Sequence, residues 1–185
     1  MKKIVIFASG SGSNAENIIT YFSKDKNISF PCILSNKEEA FVKVRAEKLG
    51  VPFKYFTKDE WKNGDILRFL QEIKPDLIVL AGFLLRVPAE IISSFPEKII
   101  NIHPSLLPKH GGKGMYGMHV HEAVVADGDK ESGISIHYVN ENLDEGAIIF
   151  QAKCEVLPSD TPEDVAGKVH ELEYKFFPEV IERLI

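Results

Sequence analysis

Two nearly uninterrupted apolar runs constrain the fold more strongly than any other feature of the sequence. They cover residues 3–8 (KIVIFA) and residues 77–81 (LIVLA). Such runs are typical of strands that are buried on both faces, and these strands occur in parallel sheets that helices cover. A helical pattern at residues 39–49 lies between them and ends at Gly50, a residue common at helix C-termini. The sequence therefore predicts an α/β fold with a mostly parallel central sheet and helices on both faces.

The last third of the chain predicts a different strand pairing. Residues 133–139 (GISIHYV) alternate in polarity, and a further strand is expected at residues 147–156. The polar turn at residues 140–146 is too short for a crossover helix, so we expect this pair to be antiparallel. Thr161 and Pro162 then begin a final helix. Because no linker-like composition divides the chain, we expect one domain over residues 1–185.

Composition excludes several classes of protein. The net charge is −5, with 22 basic and 27 acidic residues and no basic run, which argues against a nucleic-acid partner but allows a pocket for one phosphate. Cys32 and Cys154 are far apart, which fits a reduced cytoplasmic protein. The apolar run after Lys3 is too short for a signal peptide, and no run is long enough to span a membrane. We therefore expect a cytoplasmic protein, either a monomer or a homodimer.

A Gly- and Ser-rich turn at residues 9–14 (SGSGSN) connects the first strand to a helix. Such a turn offers backbone N–H groups and the positive end of a helix dipole, which together bind phosphate. The sequence Gly10-x-Gly12-x-x-Ala15 also matches the dinucleotide fingerprint, but no acidic residue follows the second strand, expected near residues 30–34. Phosphate binding is the preferred interpretation. A tight turn that binds nothing is the alternative.

The motif at residues 101–108 (NIHPSLLP) follows a short β-branched strand. Pro104 ends this strand, and residues two apart share a face, so Asn101 and His103 should lie on the same side of the strand end. Ligands of open α/β sheets bind outside the carboxyl ends of the strands. We therefore expect an active site here.

Asp144, in the polar turn, is the third candidate catalytic residue. A carboxylate beside an imidazole stabilises the protonated ring, and an imidazolium and a carboxamide can together stabilise an oxyanion. No Ser or Cys occupies a nucleophile elbow, so direct acyl transfer between two substrates is favoured over a covalent intermediate. A purely structural histidine is the alternative. His119-x-His121 lacks the spacing of a zinc site, and we expect no metal.

Two loops complete the candidate site. The apolar loop at residues 82–88 either packs in the core or forms a wall for a flat heteroaromatic ligand. Residues 109–118 contain four glycines, which predicts a mobile loop or lid.

Four motifs occur in order and carry a family resemblance: residues 7–14 (FASGSGSN), 80–83 (LAGF), 101–108 (NIHPSLLP) and 143–146 (LDEG). With them, nearly the whole chain resembles the phosphoribosylglycinamide formyltransferases, which are folate-dependent. The resemblance implies a Rossmann-like formyltransferase fold and formyl transfer from 10-formyltetrahydrofolate to the amine of 5-phosphoribosylglycinamide, in purine biosynthesis. It also implies a phosphate-binding half at about residues 1–98 and a folate-binding, catalytic half at about residues 99–185.

The resemblance also implies a role for each matching residue. The catalytic residues are Asn101, His103 and Asp144. The residues that bind phosphoribosylglycinamide are Gly12, Ser13, Asn14, His170 and Glu173. The folate-binding residues are Leu84, Leu85, Arg86, Val87, Asn101, Asn140, Glu141, Asn142, Leu143 and Asp144.

Two departures from the family pattern stand out. The arginine after Gly-Phe is displaced by one position, to Arg86, and the loop at residues 110–118 is longer than in many members. The alternatives are a formyltetrahydrofolate hydrolase, a methionyl-tRNA formyltransferase and a non-catalytic nucleotide-binding module. We expect room for neither the extra N-terminal regulatory domain that the hydrolase usually carries nor the C-terminal RNA-binding domain of the tRNA enzyme.

Overall fold

The computed structural model describes all 185 residues, Met1–Ile185. The chain divides into two compact units, residues 1–100 with Ile185 and residues 101–184. No helix combines the length and the apolar character that a membrane span requires.

Parallel strands build the first unit. They are β1 (Lys2–Phe7), β2 (Ile28–Ser29), β3 (Ile33–Ser35), β4 (Phe53–Tyr55) and β5 (Leu77–Leu80). β1 lies at the centre and pairs in parallel with β2, β3 and β5, while β4 pairs in parallel with β3. Every residue of β5 is buried, as its apolar run predicts. Beyond β5, Ile78 N donates to Lys98 O at 2.7 Å, next to the start of β6 (Ile99–His103).

Five helices accompany these strands: α1 (Ser13–Tyr21), α2 (Val42–Leu49), α3 (Lys58–Lys62), α4 (Asp65–Ile73) and α5 (Ala89–Ser94). α2 ends at Gly50 with φ of 68°, in agreement with the predicted stop. It begins three residues later than the pattern at residues 39–49 indicated. Its first N–H, on Val42, donates to Gly10 O at 3.1 Å, so contact with the Gly- and Ser-rich turn sets the helix start.

The second unit contains the end of β6 together with α6 (Met118–Ala126), β7 (Glu131–Tyr138), β8 (Ile148–Glu155) and α7 (Pro162–Leu184). β7 and β8 are antiparallel, with a bulge between Ile136 and His137. α7 packs against α6, β7 and β8. The predicted α/β fold class is therefore confirmed, including its parallel strands and its antiparallel pair in the C-terminal part.

Candidate active site

The Gly- and Ser-rich turn carries α1 directly against α2. Gly12 adopts φ of 73° at the N-cap of α1, where no side chain caps the helix. A Cβ atom on Gly12 would lie 2.3 Å from Val42 Cγ2 and 2.9 Å from Val42 Cα. Only glycine therefore fits, and the N-terminal N–H groups of α1 are presented beside the turn at Ser13 and Asn14.

Positive charge accompanies this turn. Arg45 Nε donates to Ser11 O at 2.8 Å, and the Arg45 guanidinium also pairs with Glu16. Lys48 Nζ lies 3.4 Å from the same carboxylate. Two cations and one carboxylate leave a net positive charge beside the positive end of the α1 dipole, an arrangement that favours an anion.

A buried hydroxyl ties this turn to the apolar loop at residues 82–88. Ser9 Oγ donates to Asn36 Oδ1 at 2.6 Å and accepts from Leu84 N at 3.0 Å. Within the predicted folate segment, Leu84 is 49% exposed, whereas Val87 is buried. Arg86 O accepts from Trp61 Nε1 at 2.9 Å, which holds the loop in place. Val87 therefore packs in the core, whereas Leu84 lies on the surface, and the predicted wall for a ligand stays a prediction.

In the second unit, His103 ends β6 with both ring nitrogens near acceptors. Its Nε2 lies 2.8 Å from His110 O, and since a carbonyl can only accept, Nε2 carries a proton. Its Nδ1 lies 3.6 Å from Asp144 Oδ2. That distance is within ion-pair range but too long for a hydrogen bond, so Nδ1 is the nitrogen able to engage a substrate.

Asp144 lies between two imidazoles. Its Oδ2 accepts from Gly112 N at 2.9 Å, and its Oδ1 lies 3.8 Å from His137 Nε2. The side chain is only 8% exposed, so its charge is weakly screened. The other residues of the predicted folate turn are exposed, and Asn142 N donates to Asn140 Oδ1 within it.

Asn101 contacts a residue to which sequence analysis assigned no role. Its Nδ2 lies 3.1 Å from His137 Nε2, and His137 Nδ1 lies 2.9 Å from Tyr138 O. Burial lowers the pKa of His137, although the Tyr138 carbonyl and Asp144 act in the opposite direction. The alternating pattern places His137 on one strand face, but only the pairing of strands in space brings it to Asn101.

A second group of rings lies between α6 and α7. His121 is 2% exposed, its Nδ1 has no hydrogen-bond partner, and its ring lies 6.5 Å from that of His170. Burial lowers the pKa of His121 to about 4, with smaller contributions from His170 and His103. Glu173, one turn after the exposed His170, is buried at 8% exposure. The predicted amine-binding pair therefore lies on one side of α7.

The predicted lid is anchored at its first residues. His110 Nε2 donates to Asp129 Oδ2 at 2.6 Å, and Lys109 pairs with the same carboxylate. Burial opposes ionisation of Asp129, but these two hydrogen bonds hold its pKa below the usual value. Farther along, Tyr116 is half exposed. His119 and His121 point to different sides of α6, and no group of three or more His, Cys, Asp or Glu residues is arranged to hold a metal.

Comparisons with known proteins identify the relatives of this chain. The formyl transferase family model matches residues 2–181. Phosphoribosylglycinamide formyltransferase of Haemophilus influenzae is 38% identical over 98% of this chain and 86% of its own length. The Bacillus subtilis protein of that name is 36% identical over 100% of this chain and 95% of its own length. A chloroplastic relative from Arabidopsis thaliana is longer, and the chain spans 64% of it at 37% identity.

Solved structures agree with this result. The crystal structure of glycinamide ribonucleotide transformylase 1 from Geobacillus kaustophilus has a TM-score of 0.90 at 30% identity, and it covers 100% of this chain and 98% of its own. The family that the sequence motifs indicated is thereby confirmed. The chain belongs to the phosphoribosylglycinamide formyltransferases of the formyl transferase family.

Proposed function

We propose that the chain transfers the formyl group of 10-formyltetrahydrofolate to the amine of 5-phosphoribosylglycinamide, with Asn101, His103 and Asp144 carrying the chemical step. The observation that carries this proposal is the buried cluster that these side chains form with His137. His103 Nδ1 and Asp144 lie 3.6 Å apart, and neither side chain is more than 8% exposed. Such a cluster can stabilise charge that develops on a carbonyl oxygen.

The mechanism follows from the donors in this cluster. The substrate amine attacks the formyl carbon, and the carbonyl electrons move to oxygen to give a tetrahedral intermediate. The Nδ1–H of protonated His103 and an amide N–H of Asn101 donate to that oxyanion, while Asp144 stabilises the imidazolium. The proton lost by the amine is delivered to folate N10, through His103 or a water, as the bond between the formyl carbon and N10 breaks.

We assign substrate binding to three sets of residues. We place the phosphate at Gly12, Ser13 and Asn14, where the start of α1 and Arg45 favour an anion. His170 and Glu173 bind the glycinamide end. Folate contacts residues 84–87 and 140–144, with the half-exposed Leu84 and Leu143 offering apolar surface. We therefore propose a phosphate-binding half at about residues 1–98, which also contributes the folate-contacting residues 84–87, and a folate-binding, catalytic half at about residues 99–185.

The setting of the enzyme is part of the proposal. Both cysteines are free thiols, which fits a reduced cytoplasmic location. The net charge of −5 fits small-molecule substrates better than a nucleic acid. We propose a monomer or a homodimer.

Replacing His103 by Ala tests the proposal. Loss of one oxyanion donor costs about 10²–10³ in rate, so we expect kcat to fall by at least that factor. The KM for the phosphorylated amine should change little, because phosphate binds elsewhere. His119→Ala is a matched control, since the His119 side chain is 58% exposed and its recorded partners, Glu122 on the same helix and the half-exposed Tyr116 ring, lie outside the proposed catalytic cluster.

A His103→Ala variant with half of the wild-type turnover would remove His103 from the mechanism. Formate release by the wild type without the amine substrate would instead indicate a hydrolase.

A further inference from the structure

We infer that His137 is a positioning residue for the proposed reaction: its ring, protonated only on Nδ1, holds the Asn101 carboxamide so that Nδ2 is the donor beside it. This inference rests on the proposed function. One N–H of Asn101 is used by His137, and the second remains available to an oxyanion. The opposite orientation of the amide would present its oxygen, which repels an oxyanion.

The hydrogen-bond partners assign the tautomer. His137 Nδ1 lies 2.9 Å from Tyr138 O, and a carbonyl cannot donate, so Nδ1 bears the proton. In the neutral ring, Nε2 is then an acceptor. Since Asn101 lies 3.1 Å from Nε2, the atom facing it must be the donor Nδ2 and not Oδ1. These two contacts therefore assign the nitrogen and the oxygen of the Asn101 amide, which have nearly the same shape and cannot be told apart by shape alone.

The surroundings of His137 keep the ring neutral. The residue is 2% exposed, and burial lowers its pKa. Two charged or titratable groups face it: Asp144, which favours the protonated ring, and His103, which disfavours it. Gly146 approaches the Tyr138 carbonyl so closely that a Cβ at position 146 would lie 1.6 Å from its oxygen. A bulge directly before His137 sets the local direction of the strand.

Acid should break this arrangement. A second proton on the ring would occupy Nε2 and face the Asn101 N–H₂ group, donor against donor. The amide would then turn its oxygen toward His137, and the oxyanion would lose its donor. Rate should consequently fall on the acid side as His137 becomes protonated.

Two substitutions of His137 distinguish the contributions of its two ring nitrogens. In His137→Asn, the shorter amide can donate to Tyr138 O in place of Nδ1, but nothing replaces Nε2. In His137→Gln, the longer amide can accept from Asn101 in place of Nε2. We expect kcat to fall about 10- to 100-fold in His137→Asn, less than complete loss of an oxyanion donor, and to stay within about threefold of wild type in His137→Gln. Both KM values should change little.

Two further readouts distinguish positioning from a structural role. The acid limb of kcat that reports His137 should be absent in His137→Gln, because an amide does not titrate there. In the wild type, ¹⁵N NMR of the imidazoles should show that His137 is protonated on Nδ1 and unprotonated on Nε2 at pH 7. This measurement needs no activity and no variant.

The outcomes are distinct. If the wild-type protein did not transfer formyl groups, the proposed function would be overturned, and with it the role of His137 in that reaction. The NMR measurement of the His137 tautomer does not depend on that activity. An active wild type with equal kcat loss in both variants, or with no loss in His137→Asn, would overturn the positioning role. A ring protonated on Nε2 at pH 7 would overturn it even if one variant failed to fold.

Discussion

Replacement of Asp144 by Asn isolates the contribution of one negative charge to catalysis. The amide oxygen of the substituted side chain can still accept from Gly112 N, so the turn should keep its shape while the charge is lost. At 3.6 Å and an effective dielectric constant of about 20, the Asp144 carboxylate attracts an imidazolium at His103 by about 4–5 kcal/mol. Desolvation of the buried carboxylate offsets part of this attraction. A residual of about 3 kcal/mol corresponds to a loss of about 10² in kcat.

Steady-state kinetics with both substrates would measure this effect, with thermal unfolding as a check on folding. Glu145→Gln is the matched control, because it removes the same charge from the neighbouring, exposed position. Loss of Asp144 also removes a group that raises the pKa of His137, so the His137 ring should stay neutral and keep its bond to Asn101. A kcat within about threefold of wild type, or an equal loss in the Glu145 variant, would refute the electrostatic role of Asp144.

The remaining predictions concern stability, pH and mobility. Gly12→Ala should destabilise the fold by about 2–4 kcal/mol, because alanine is strained at positive φ and its Cβ would clash with Val42. Gly10→Ala is the control, and it should leave the unfolding temperature nearly unchanged because the space at its Cβ is open. Equal unfolding temperatures for the two variants would contradict this prediction. The unfolded chain binds a proton at His121 below about pH 6.5, but the folded protein does so only near its pKa of about 4, so stability should fall as pH drops through this window. His121→Asn should remove up to about 2 kcal/mol of the loss between pH 6.5 and pH 5, and thermal unfolding at both pH values would show whether it does. Hydrogen exchange should be fast at residues 111–117 in the free protein and slow with both substrates bound, and strong protection without ligands would exclude a lid.

Local patterns predicted the regular elements well because burial and capping are local signals. The apolar run at residues 77–81 became β5, and Gly50 ended α2 as its preference for positive φ indicated. The short α3 was not predicted. Thr57 and Glu60 form a capping box at its start, but its five residues are too few for a periodic apolar pattern.

The candidate site was harder to predict from the sequence because its residues are distant from one another along the chain. Asn101 and His103 share one motif, whereas Asp144 lies in a distant polar turn, where the sequence makes it a candidate but cannot show that it lies near His103. The tautomer of His137 depends on the Tyr138 carbonyl, and no spacing rule encodes that contact. The start of α2 was missed for the same reason, since a hydrogen bond from Val42 to Gly10 sets it.

The Ser9 hydroxyl described above has a thermodynamic consequence. It holds Asn36 on one side and the main chain of Leu84 on the other, so the turn at α1 and the loop at residues 82–88 share one hydrogen-bonded atom. A ligand that displaces the turn must also displace the loop or break a buried hydrogen bond, at a cost of about 1–3 kcal/mol. If a ligand at one segment changes the affinity for a ligand at the other, the second ligand must change the affinity for the first by the same factor, because the binding cycle is closed.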